Sequence, residues 1–403
     1  MTSHPLAPDW QQLKQTGDER LARFNELDDL YVLWPRAGSA WTLHLHEFFA
    51  QRTYLTDPRF RGYCVIGDPP GLVSAMKPVM PHREAAITFN EFVRLRRSKA
   101  RVGLLDFSGT ITEWSLWRGV QDGVFDFLVS ATARDIAYIY VPLSQERRHY
   151  LENAGRYEAL AASMDARSAR TLFARMHAFL ALDRGPMLRT MTPVEFQYFN
   201  GASPQDSFVP RAREVYVDVG ASQGEHVLRM AGLLDDLDGS QLWALEPNRQ
   251  EFGALQGLRW MLPVRAQQVV VSDQAGGEVL FHTLPGNPEG SHFVGASHDA
   301  AWREAHADSI DTLPRVTLDS LISREATFIK ADIEGGEMAL MRGARGHLAR
   351  PQCRLSIAAY HYPDDLLEMV DFLHGLGRRR LSVRAHHPSL YDLVLYAHEE
   401  PGF

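Results

Sequence analysis

Glu214-Val-Tyr-Val-Asp-Val-Gly-Ala-Ser-Gln-Gly-Glu225 writes a strand, a glycine turn and the start of a helix in succession. The β-branched run over 215–219 has the composition of a strand inside a sheet. The helix begins near Gly224 and carries His226, Val227, Met230 and Leu233 at helical spacing. Gly220 and Gly224 leave side chains out where a ligand would approach backbone N–H groups at the helix start. Asp218 adds a carboxylate at the strand end, which a pyrophosphate would not welcome.

Strands and helices continue to alternate downstream of this unit. Strands are expected at 241–246, 268–273, 276–281, 327–333, 354–359, 381–384 and 392–397. Helices are expected at 251–260, 317–322, 364–376 and from 337 through 348. Residues 283–313, rich in Gly, Ser, Asn, Pro and His, read as a long loop of the kind that serves as a lid. Upstream, 31–34, 63–66, 102–107 and 136–141 read as strands, with helices at 41–50, 89–97 and 120–131. Between them 147–164 and 168–182 read as two bridging helices, and Thr192 with Pro193 as the cap and first turn of another. The expected architecture is α/β: a small three-layer α/β domain over 1–143, a helical bridge over 144–210, and a second strand–helix domain over 211–403 that closes with two strands around a turn.

Composition narrows the class. A chain of 403 residues exceeds one ordinary core, which favours two domains. Hydrophobic residues at 45% and charged ones at 23% describe an ordinary globular protein. A formal charge of −8 argues against a nucleic-acid surface. Cys64 and Cys353, without metal spacing, fit a reducing compartment. No signal peptide or membrane-spanning apolar stretch is read, so the expectation is a cytoplasmic protein.

The polar residues gather at strand ends, where open α/β sheets bind ligands. They are Asp218, Glu246, Asp273, Asp332 and His361. A dinucleotide site wants three glycines around its turn, and here Ala221 and Ser222 stand where another glycine is due. S-adenosylmethionine carries a sulfonium, an ammonium and a carboxylate but no phosphate, so acids and turn amides suit it. Asp218, Gly220, Ser222 and Gly224 are the candidate turn residues. Glu246 would accept ribose hydroxyls, Asn248 and Phe252 would flank the nucleoside, and Ser272 with Asp273 would meet the adenine amino group.

Several stretches resemble the FkbM family of S-adenosylmethionine-dependent methyltransferases over 214–398. They are Val217-Asp-Val-Gly-Ala-Ser-Gln-Gly224, Leu245-Glu-Pro-Asn248, Val271-Ser-Asp273, Val316-Thr-Leu-Asp-Ser-Leu321, Phe328-Ile-Lys-Ala-Asp-Ile-Glu-Gly-Gly-Glu337, Arg342-Gly-Ala344 and Ala359-Tyr-His-Tyr-Pro-Asp-Asp365. The resemblance implies a class I methyltransferase fold, a doubly wound sheet that ends in a reversed hairpin over Leu381 to Ala397, and methyl transfer to a hydroxyl of a sugar, glycoside or related secondary metabolite. Some members also carry an N-terminal Rossmann-like domain, although Trp34-Pro-Arg-Ala-Gly-Ser39 keeps one glycine of the usual turn.

For such a reaction His361 is the candidate base, with Asp332 orienting it or touching the acceptor, and His386 or His387 as substitutes. Lys330 is placed to pair with a carboxylate inside the sheet, and Glu337 reads as an acid at a helix N-terminus. Asp332, Glu334 and His361 are also donors of the kind that hold magnesium or manganese, but their spacing does not require an ion. His282, His292, His298 and His306 read as surface residues. The expected partner is a small-molecule or carbohydrate acceptor, with Gly295, Ala296 and Ser297 of the loop near it. The alternatives are a nicotinamide-dependent oxidoreductase or a nucleotide-sugar-binding protein that uses the Rossmann-like domains.

Overall fold

The structure is a computed structural model that describes residues 8–34, 57–65, 86–99, 101–105, 141, 143–183, 185–199, 208, 210–283, 291–294, 299–386, 390 and 392–400. The helices expected at 41–50 and 120–131, the strand at 136–140, residues 295–298 and His387 lie outside the described residues. Two compact units divide the chain: Met1–Met191 with His387–Tyr391, and Thr192–His386 with Asp392–Phe403. Among the described residues, no helix is long and apolar enough to cross a membrane.

The first unit opens with α1 (Trp10–Asn25), followed by β1 (Asp29–Trp34), β2 (Phe60–Val65), β3 (Ala86–Thr88), α2 (Phe89–Ser98) and β4 (Val102–Leu105). The strands pair in parallel in the order β3-β2-β1-β4. Thr88 and Glu91 cap α2 reciprocally, each side chain accepting from the other's backbone N–H. The helical segment follows as α3 (Leu143–Glu152), α4 (Ala154–Ser163), α5 (Ala166–Leu180) and α6 (Gly185–Leu188). The single helix expected over 147–164 is thus two, broken at Asn153, whose side chain donates to the His149 carbonyl at 3.0 Å. On α5, Leu172, Met176, Phe179 and Leu180 are buried as their spacing anticipates.

In the second unit the helix expected from Thr192 is only a 3₁₀ turn at Val194–Phe196, and Thr192 makes no side-chain cap. Then come β5 (Val215–Val219), α7 (Glu225–Leu233), β6 (Gln241–Leu245), α8 (Arg249–Leu258), β7 (Val264–Gln267), β8 (Val270–Val271), β9 (Glu278–His282) and β10 (His292–Phe293). The rest is α9 (Ala300–Ala305), β11 (Ile310–Val316), α10 (Leu318–Leu321), β12 (Phe328–Ala331), α11 (Glu337–Gly343), α12 (Arg345–Leu348), β13 (Arg354–Ala358), α13 (Asp365–Gly375), β14 (Leu381–Arg384) and β15 (Val394–Ala397). The main sheet runs β14-β15-β13-β12-β5-β6-β7. Its strands are parallel except β15, which is antiparallel to both β13 and β14 and forms the expected reversed hairpin. Phe328 on central β12 meets the rings of Phe199, Phe208 and Tyr216 at 5.9, 5.1 and 5.2 Å.

Three expectations are corrected here. The strand read over 268–273 does not extend the main sheet; β7 forms that edge, and β8 pairs with β11 in a second sheet ordered β10-β9-β11-β8. The loop read over 283–313 contains α9 and the beginning of β11, and His282 on β9 is buried, not a surface residue.

Candidate active site

The turn after β5 is built for close packing. Gly220 has φ +70°, and a Cβ there would stand 1.9 Å from the Asp332 carbonyl oxygen. Gly224 has φ +89°, and its Cβ would meet Leu258 and Leu255 of α8 at 2.4 and 2.7 Å. Both positions thus require glycine for backbone conformation and for the approach of β12 and α8. The expected reason, ligand access to the backbone, is replaced by this one.

The turn's amides are already committed. Gly220 and Ala221 donate to the Leu245 carbonyl at 2.9 and 3.2 Å, and Gly224 to the Ala221 carbonyl at 2.8 Å. Ser222 N–H donates to Glu246 Oε2 at 2.8 Å, and its hydroxyl donates to Glu251 at 2.8 Å. These four amides form no open phosphate cradle, which counts against a dinucleotide.

Glu246 follows β6 directly. Its other oxygen accepts the Asn248 N–H at 2.8 Å. Burial pushes its carboxyl up to about 7 against the pull of the Asn248 and Ser222 amides. An ionised carboxylate has about four acceptor positions, so two backbone bonds leave room for two hydroxyls.

Asn248 is buried as the N-cap of α8, its oxygen accepting from Gln250 and Glu251 N–H and its amide donating to Ser291 at 3.0 Å. It props the turn more directly than it could flank a nucleoside. Phe252 packs, half-buried, on the core. Ser272 and Asp273 stand just past β8, Asp273 exposed and accepting the Ser272 hydroxyl at 3.1 Å.

Asp218 differs from its expected role. Its side chain is fully buried and pairs with Lys330 at 3.0 Å, so it does not face a ligand; it fixes the lysine expected to seek a carboxylate. Burial raises its carboxyl while Lys330 opposes that rise. Lys330 also donates to the Gly220 carbonyl at 2.8 Å and lies 5.1 Å from the Tyr198 ring centroid. The pair therefore ties β5, the turn and β12 together.

Asp332, at the end of β12, gathers the remaining polar groups. Tyr198 and Tyr360 donate their hydroxyls to it at 2.7 and 3.2 Å. His361 Nε2 lies 3.6 Å from Asp332 and 3.6 Å from Glu334. His361 Nδ1 lies 3.2 Å from Glu337, whose Oε1 also accepts the Ile333 N–H at 2.8 Å. Burial alone would lower the imidazole, but Glu337, then Asp332 and Glu334, drive it up to about 10. One ring nitrogen of His361 is thus held by Glu337, while the other faces Asp332 and Glu334. His386 is held elsewhere, its ring nitrogens 2.8 Å from the Tyr396 hydroxyl and 3.2 Å from the Pro193 carbonyl.

The sequence reading brought Asp332 and His361 together correctly but gave no role at the site to Tyr198, Tyr360 or Asp365, and read Glu337 as a helix-end acid. Tyr198 sits more than a hundred residues from Asp332 and is held at φ +63° by Tyr396 and Ser356, contacts no local pattern encodes.

A seven-stranded sheet whose parallel strands end in a reversed hairpin, with an acid closing β6 beside a glycine turn, is the class I S-adenosylmethionine-dependent methyltransferase fold. Residues 218–380 match the model of the Methyltransferase FkbM domain. The chain is similar in structure to the methyltransferase FkbM from Methylobacillus flagellatus KT, with 18% identity, a TM-score of 0.68, and coverage of 96% of this chain and 98% of that one. Weaker likenesses include a SAM dependent methyltransferase from Aquifex aeolicus (12% identity, TM-score 0.28, 54% of this chain and 99% of that one). Precorrin-6y C5,15-methyltransferase from Geobacter metallireducens GS-15 is another (13%, 0.28, 47% and 81%). No curated protein sequence matches the chain.

Proposed function

We propose that this protein transfers the methyl group of S-adenosylmethionine to a hydroxyl of a small acceptor, a sugar, glycoside or related secondary metabolite. The observation that carries the reading is Glu246: a buried acid at the end of β6, beside a turn whose amides are committed. Such a crevice suits a nucleoside with a free ribose diol and no phosphate. Ser222 and Asn248 hold Glu246 in place, Asp218 with Lys330 fixes the turn, and Ser272 and Asp273 receive the adenine edge.

The reaction is an in-line displacement, so much of its acceleration comes from positioning. An acceptor hydroxyl at Asp332 gives its proton to that carboxylate while its oxygen bonds to the methyl carbon and the carbon–sulfur bond breaks. Tyr198 and Tyr360 hold Asp332 in place, and His361, pinned by Glu337, stands 3.6 Å from it.

Calorimetry with S-adenosylhomocysteine tests the reading. Saturable binding is expected, and Glu246→Gln should weaken it at least about tenfold, the loss of charge-assisted bonds worth roughly 1.5–3 kcal/mol each. No heat with either the donor or its demethylated product would sink it.

A further inference from the structure

The donor set around His361 reaches beyond an acid–base pair. The Nε2 separations of 3.6 Å to Asp332 Oδ1 and to Glu334 Oε2 exceed hydrogen-bond reach. They match the spacing of donors that share an ion: with bonds of ~2.1 Å, neighbouring ligands of an octahedron stand ~3.0 Å apart and opposite ones ~4.2 Å apart. The three donor atoms lie within 4.8 Å of one another.

Glu337 supplies an independent observation. It is 1% exposed, and its Oε2 has no hydrogen-bond partner among the described residues. A carboxylate buried in that condition is costly unless a cation lies near. Through Oε1 it faces His361 Nδ1, so that nitrogen keeps its hydrogen, and an ion between Asp332 and Glu334 would take the place of the Nε2 proton. A metal-binding histidine is commonly oriented by a carboxylate in this way. Tyr198 and Tyr360 likewise orient the Asp332 carboxylate. Lys330, the lysine of β12, is committed to Asp218 and Gly220.

We infer that Asp332, Glu334 and His361 bind a divalent cation of the magnesium or manganese type. Mixed carboxylate and imidazole donors suit such ions, manganese above all. Glu337, His361 and Asp365 form a second donor group, but all three are buried and Asp365 accepts the Tyr362 N–H at 2.7 Å. The Nε2 side is the open one, with the Asp332 and Glu334 side chains 25% and 33% exposed. This inference rests on the methyltransferase reading and deepens it. Three protein ligands leave positions for acceptor oxygens, so an acceptor with two adjacent hydroxyls would chelate the ion and present one of them to the methyl donor.

The test is manganese titration of the whole protein followed by electron paramagnetic resonance, with S-adenosylhomocysteine calorimetry run separately. One bound ion per chain is expected, with affinity falling at least about tenfold in Glu334→Gln and His361→Asn, and about tenfold in Glu337→Gln. Glu334 is partly exposed, so its variant should keep the parent's melting temperature. No manganese binding by the parent protein, or equal affinity in Glu334→Gln, overturns the ion site. Homocysteine-product binding that persists in that event leaves the methyltransferase reading standing, whereas manganese bound without any donor binding sinks that reading and keeps the ion.

Discussion

At the scale of single residues, Glu246 makes the sharpest prediction. Its carboxyl is raised to about 7 by burial, and only the ionised form accepts from two hydroxyls. Product affinity should therefore be weak below pH 7, rise through it and level off above. Binding near neutral pH should also release a proton, seen as a calorimetric enthalpy that changes with the buffer's heat of ionisation. A flat profile in both would remove Glu246 from the site. Tyr198→Phe deletes the 2.7 Å bond to Asp332 and should lower kcat about tenfold while leaving product affinity unchanged. The acids at strand ends were legible because a parallel strand places its last polar residue at a fixed edge. What each acid touches was not, since Lys330 claims Asp218 and Glu337 claims His361 through folds of the chain that sequence spacing does not record.

At the scale of elements, strands buried on both faces read well and half-exposed ones badly. The runs Val215–Val219 and Arg354–Ala358 are buried at every position, and their β-branched and aliphatic residues announced them despite Asp218, Arg354 and Ser356. Ile310–Val316 was missed because it is mostly half-exposed and contains Pro314, which ordinarily argues against a strand. Glu214, at the entry to β5, is joined to Arg354 of β13 at 2.6 Å, and both are buried. Glu214→Ala strands a buried guanidinium and should destabilise the second unit by about 3–5 kcal/mol in urea unfolding. Replacing both residues by apolar ones should recover much of that loss. A single variant as stable as the parent would show that the pair contributes little.

At the scale of the molecule, the chain divides into two compact units, the second of which begins at Thr192. A fragment starting at Thr192 should fold and bind S-adenosylhomocysteine with the affinity of the whole chain; failure to do so would tie donor binding to the first unit. The order of the main sheet also bears on how the protein is made. Val394–Ala397 lies between β13 and β14, not at a margin, although it follows both in chain order. Until it is made, β13 and β14 have no partner between them, and their open backbones invite pairing with other nascent chains. The second unit is thereby committed to close its sheet only once that strand has been made, and its yield in a cell should depend on chaperones that shield the gap until then.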